Sequence, residues 1–187
     1  MRVAVRELGA DVIKIERDCT SEESVARYNA TTKRVYDKLK AFLKPTIAQI
    51  TGFCIGGGVA LSLSRDMRIC GKGAQFAVPA AKLGLGCGFP GIKRLVNVVD
   101  PSFAKDILFT ARRFDAEELR VTGLVNRVVE DEDVAQVAED TAKMIAANAP
   151  MTAASVKFIV GETLKDESKR DEEVCARRVK AYFESQD

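Results

Sequence analysis

The sequence predicts an α/β fold, and three observations lead there. Amphipathic helical stripes alternate with short β-rich runs, glycine clusters stand where strands should pass into helices, and the composition is that of an ordinary globular chain. With 187 residues, 47% of them hydrophobic and 30% charged, the chain can bury a real core and lacks the composition of a disordered protein or a coiled coil. Its 29 Lys and Arg against 27 Asp and Glu leave a net charge of +2, too small to point to nucleic acid or a membrane surface.

From Ser21 to Phe42 the apolar residues Val25, Tyr28, Val35, Leu39 and Phe42 recur at helical steps, and Ser21 with acids behind it is a fitting N-cap. Pro45 breaks this helix, and Ile47, Ile50, Phe53 and Cys54 predict a strand over Thr46–Cys54. That strand runs into Gly56-Gly57-Gly58, after which Val59–Leu63 continues without a breaker, so the glycines read as a strand-to-helix turn. Arg68–Cys70 and Gln75–Val78 read as two short strands on either side of Gly71 and Gly73. A second glycine cluster, Gly84, Gly86, Gly88 and Gly91, leads into a helix over Ile92–Val99, and Pro101 opens another to about Arg112. Ala116–Arg120 predicts a short helix and Leu124–Val129 a β-rich run. Asp131–Asn148 predicts a helix with Val134, Val137, Thr141, Met144 and Ile145 on one face, and Pro150 separates it from a helix over Thr152–Leu164. The last segment, Glu167–Glu184, is charged, and its thin apolar stripe of Val174, Val179 and Phe183 needs something to pack against.

A chain with no His cannot run a Ser-His or Cys-His nucleophile, a His-ligated metal or a His general base. The five Cys, at 19, 54, 70, 87 and 175, are odd in number and form no C-x-x-C pair, so neither a disulfide framework nor a metal site is encoded. No apolar stretch approaches the roughly 20 residues of a membrane span, and the N-terminus lacks a signal-peptide apolar core. A soluble protein of the reducing cytoplasm, with no membrane span and no nucleic-acid partner, is the expectation.

Two glycine motifs bear on chemistry. Gly86-Cys87-Gly88-Phe89-Pro90-Gly91 matches the dinucleotide fingerprint G-x-G-x-x-G, but the hydrophobic strand that must run into its first glycine is absent. Gly56-Gly57-Gly58 is more informative, since a glycine at a helix N-terminus exposes its N–H to an incoming carbonyl or anion. The same glycines would equally let the helix pack close against the sheet.

Lys44-Pro-Thr-Ile-Ala-Gln-Ile-Thr-Gly-Phe-Cys-Ile-Gly-Gly-Gly-Val-Ala-Leu, with Arg65-Asp-Met-Arg-Ile, Ala74-Gln-Phe, Pro79, Leu83-Gly-Leu and Gly123-Leu-Val-Asn-Arg-Val-Val, resembles the enoyl-CoA hydratase/isomerase (crotonase) superfamily. Leu8-Gly9-Ala10-Asp11-Val12 resembles that family's A-G-A-D-I segment. The resemblance implies a crotonase-like (ClpP/crotonase) spiral of β-β-α units over residues 1–130 and a helical region over 131–187 that drives assembly into a homotrimer or a dimer of trimers. It implies an acyl-CoA substrate, no further cofactor, and the backbone N–H groups of Ala10 and Gly57 as donors to the thioester oxygen. Two such donors stabilise the enolate common to hydration, isomerisation, decarboxylation and thioester hydrolysis, so they name a substrate class and not a reaction.

The side chains that should choose the reaction depart from the family pattern. Hydratases of the family place Glu at the positions of Ala60 and Ala80, and another branch places Asp at that of Gly88, so all three carboxylates are missing here. An oxyanion hole without a proton shuttle polarises a thioester but loses the roughly 10²–10⁴-fold that general acid–base catalysis contributes. Two readings follow: a lyase or isomerase of acyl-CoA thioesters, or a non-catalytic acyl-CoA-binding or structural homologue. Cys87, beside the empty acid position, is either an activated thiol at a helix start or a small apolar filler. Leu85 and Phe89 are expected to line the acyl pocket, although a core role would suit the same residue types. Asp11, Glu16, Asp18, Glu22 and Glu23 read either as substitute acids or as a solvated acidic loop and cap. Met1 stands nine residues before Ala10, so strands that open the family fold are expected to be absent and a sheet edge left for a partner to cover.

Overall fold

The computed structural model describes residues 3–8 and 21–184. The fold is organised around β2 (Ile47–Ile55), which pairs with three other strands. Along one edge it lies parallel to β1 (Val3–Leu8), and along the other its first half pairs with β3 (Met67–Gly71) and its second half with β4 (Gln75–Ala77). Gly52 stands between the two paired segments, with a φ of +66° that is open to glycine and strained for other residues. Against β1 the same point is a bulge: Arg6 faces Thr51 and Leu8 faces Cys54, so β2 carries one residue more than its partner. β5 (Phe114–Asp115) closes one side antiparallel to β4, and β6 (Arg127–Val129) the other side parallel to β3.

The long helix α1 (Glu22–Lys40) begins where Ser21 accepts the Ser24 N–H at 3.2 Å while the Ser24 hydroxyl accepts the Ser21 N–H at 3.0 Å, a reciprocal cap. Helices α2 (Gly57–Ser62), α3 (Phe89–Val96), α4 (Pro101–Thr110) and α5 (Ala116–Val121) follow, with a 3-10 turn over Pro79–Leu83. α3 starts three residues before the expected Ile92, because Gly88 serves as its N-cap and Pro90 fits the first turn, where a missing N–H costs nothing. Likewise Pro150 opens α7 (Pro150–Thr163) rather than only preceding it. α6 (Val134–Ala146) presents Val134, Ala138 and Thr141 inward and packs on Ile47 and Ile69 of the sheet, joining the helical region to the α/β core. Met144, expected on that face, is 62% exposed; at 100° per residue it falls about 80° from the centre of the stripe, on its rim. α8 (Glu172–Glu184) lies against α7 and leaves Val179 exposed, while the side chain of Phe183 lies outside the described residues. No single helix among the described residues is long and apolar enough to cross a membrane.

The main core joins Ile50, Cys54, Phe76, Leu95, Ile107, Phe114, Leu119 and Leu124. Phe114 is its best-connected aromatic: it is 1% exposed, meets Phe103 edge-on at 5.6 Å, and carries the Arg112 guanidinium 3.7 Å above its ring. Arg112 is held there by Glu118 at 2.8 Å and Asp106 at 3.3 Å. The pair with Glu118 keeps that carboxyl below its usual pKa, through the hydrogen bond first. Phe114→Ala is therefore expected to cost about 3–5 kcal/mol in equilibrium denaturation, the range for a buried aromatic. A loss below about 1 kcal/mol would show that the core does not close around this ring.

Candidate active site

The carboxyl ends of parallel strands are where α/β sheets present free backbone groups, and here β2 and β4 end side by side, with Ile55 opposite Ala77. Gly56 takes φ +53° and donates its N–H to the Ala77 carbonyl at 2.8 Å, extending the ladder by one rung and turning the chain into α2. A Cβ at position 56 would meet no atom of the described residues within 4 Å, and its φ of +53° is the backbone angle that favours glycine. The Ala60 N–H then returns to the Gly56 carbonyl at 3.1 Å, which makes Gly57 the first helical residue. At that position an N–H has no carbonyl four residues back within the helix and is available to an outside acceptor. Gly57 is half-buried, reachable and without a side chain to obstruct approach.

Ala80 arrives from the neighbouring strand. Three residues beyond Ala77 it sits half-buried in the Pro79–Leu83 turn, which Gly84 ends at φ +64°, and the Leu85 N–H returns to the Ala80 carbonyl at 2.9 Å. Ala60 is half-buried on the first turn of α2. The residues expected to decide the reaction thus come from two elements that the Gly56–Ala77 hydrogen bond ties together. The sequence marked Gly56 only as part of the glycine turn and gave no sign of the Ala77 carbonyl, because the β-rich run read as Gln75–Val78 ends at Ala77 in the structure.

Gly88, at the N-cap of α3, has space to spare: an added Cβ would meet only the Pro90 Cδ at 3.7 Å. The lack of a carboxylate there is a matter of sequence and not of crowding. Leu85 and Phe89 are 52% and 74% exposed and Cys87 is exposed as well, so Cys87 is no core filler. Among the described residues, the void lined by Val59, Phe76, Ile107, Phe114 and Leu119 measures about 10 Å³, the space of one water. Cys54, just before the glycine turn, is fully buried, and burial pushes its thiol up to about 12, with a hydrogen bond to Ser62 opposing. Ala10, with Asp11, Glu16 and Asp18, lies outside the described residues, and no cluster of metal-ligating side chains occurs among those described.

Comparison with known proteins bears on this arrangement. The family model described as enoyl-CoA hydratase/isomerase matches residues 8–187. A short-chain-enoyl-CoA hydratase of Clostridium acetobutylicum is 36% identical over 143 residues, 76% of this chain and 54% of that protein. A carnitinyl-CoA dehydratase of Citrobacter koseri is 38% identical over 120 residues, 64% of this chain and 46% of that protein. The chain spans about half the length of these curated relatives. The crystal structure of an enoyl-CoA hydratase/carnithine racemase from Magnetospirillum magneticum superposes with a TM-score of 0.86 at 28% identity, covering 98% of this chain and 72% of that one. With a crotonase-like α/β fold and a family match along nearly its whole length, the chain belongs to the enoyl-CoA hydratase/isomerase family.

Proposed function

We propose that the chain binds an acyl-CoA thioester and stabilises the enolate formed from it, acting as a lyase or isomerase of the enoyl-CoA hydratase type. The observation that supports this reading is Gly57: a half-buried glycine whose N–H opens a helix at the carboxyl end of the sheet, in a chain of this family. Its partner donor would be the Ala10 N–H. Each donor aimed at the developing oxyanion is worth about 3 kcal/mol of barrier. The acyl group would rest on Leu85 and Phe89, covering surface that is now exposed, and Ala60, Ala80, Cys87 and Gly88 would surround the reacting carbons. No cofactor beyond the CoA of the substrate is required for this chemistry. Assembly into a homotrimer or a dimer of trimers would cover Val156, Val160, Leu164 and Val179, all more than 40% exposed in the single chain.

The second reading, an acyl-CoA-binding or structural homologue without catalysis, is favoured by one specific observation: Ala60, Ala80 and Gly88 all lack a proton-transferring group. Crotonyl-CoA hydration measured beside acyl-CoA binding separates the two readings, since binding without turnover favours the second.

Gly57→Val is expected to abolish acyl-CoA binding or turnover while circular dichroism stays unchanged; a folded variant that binds like the parent would remove Gly57 from the site. Alkylation read by mass spectrometry is expected to label Cys87 quickly at pH 8 and to leave Cys54 and Cys70 untouched. Both buried thiols are pushed up to about 12, so each stays neutral until the pH approaches that value. Acyl-CoA should slow labelling of Cys87, and equal rates with and without it would place the acyl group elsewhere. Ala60→Glu combined with Ala80→Glu is expected to raise crotonyl-CoA hydration by at least about 10²-fold, and each single change far less, because the two carboxylates act on one water. A folded double variant that binds and shows no gain would favour the binding reading.

A further inference from the structure

Arg65 and Arg68 stand three residues apart, are equally buried at 4% exposed each, and are provided for very differently. Arg68 donates from Nε to the Leu124 carbonyl at 2.5 Å and from Nη1 to the Arg65 carbonyl at 3.0 Å. On Arg65 the Nε, Nη1 and Nη2 atoms are all shut off from solvent and have no hydrogen-bond partner among the described residues. A guanidinium does not deprotonate at ordinary pH, so Arg65 bears the desolvation of a buried charge with no hydrogen bond to offset it among the described residues, and only the nearby Asp66 charge opposes that cost.

The carboxylate that acts on both arginines is Asp66, and its Oδ2 already accepts from the Thr46 N–H at 2.6 Å, the Thr46 hydroxyl at 2.7 Å and Lys157 Nζ at 2.8 Å. Arg94 adds a further cation, donating to the Ser64 hydroxyl at 2.9 Å. Arg65, Arg68 and Lys157 thus share the Asp66 carboxylate, and Arg94 joins the same segment through Ser64. The spot is not deep, for Ser64 on one side is half-buried and Asp66 on the other is exposed. It lies at the opposite end of α2 from Gly57, so it is separate from the acyl site.

We propose that Arg65 is the receptor of a bound oxyanion, a phosphate or carboxylate group whose paired oxygens fill the unpartnered guanidinium fork. Planar fork geometry matches both anions in a bidentate fashion, which a point charge such as lysine does not reproduce. The flanking Ser64 and Asp66 reach solvent, and entry of the anion requires this end of α2 to open locally.

Thermal melting of the full chain tests this at constant ionic strength, with chloride replaced stepwise by inorganic phosphate or by acetate. The expected result is a midpoint that climbs with one of these anions, by about 5–10 °C at a hundred times its dissociation constant. Arg65→Met is expected to melt at or above the parent in chloride, because an unpaired buried charge is gone, and to show no response to either anion. Arg65→Lys, which keeps charge and loses the fork, should respond weakly. A response to phosphate alone identifies a phosphate site, and a response to acetate of equal size a carboxylate site. The same response in parent and Arg65→Met, or no response in the parent, would overturn the proposal.

Discussion

One strand makes the other contacts possible. β2 holds β1 on one edge and divides the other between β3 and β4, and between those two pairings stands Gly52, whose positive φ a residue with a side chain would resist. The first half of the strand fixes Ile47 against Ile69 and α6, while Ile50 and, from the second half, Cys54 join the main core. Because both halves are anchored, the carboxyl end of β2 has little freedom, and the glycine turn that follows inherits its position. A chain end so constrained is what an oxyanion donor needs, since preorganisation, and not the strength of one hydrogen bond, lowers the barrier.

From that fixed point the site is built by backbone more than by side chains. The Gly56 N–H is used up on the Ala77 carbonyl, which leaves Gly57 as the next donor and brings the Pro79–Leu83 turn alongside α2. The side chains at the decisive positions are methyl groups or hydrogens. Under the proposed function such a site would polarise a carbonyl while supplying no proton-transferring side chain at positions 60, 80 and 88. At Gly88 an added Cβ meets only the Pro90 Cδ at 3.7 Å among the described residues, so crowding does not exclude a side chain there.

How much of this was legible in the sequence depends on whether the signal was local. The Ser21 cap and the stripe of α1, the strand before the glycines and α2 after them all follow from neighbours within a few residues, and all are found in place. β1 and β5 were not legible: Val3–Leu8 and Phe114–Asp115 become strands through partners distant in sequence, β2 and β4. Gly57 could be located from its motif, whereas the Gly56–Ala77 bond that sets it could not, being a backbone contact 21 residues across the chain. The exposure of Leu85, Cys87 and Phe89 and the burial of Arg65 were equally hidden. An apolar residue on a surface loop and a charged one at a helix end reverse the usual preference, and residue type alone gives no warning of it.

The central claim is that the Gly57 N–H polarises a thioester carbonyl, and carbon-13 NMR reads this directly. An acyl-CoA labelled at the thioester carbon should show its carbonyl resonance moving downfield when bound to the parent chain. A labelled acyl-CoA that is demonstrably bound yet keeps its solution resonance would contradict the claim, because the carbonyl would then lie away from any preorganised donor.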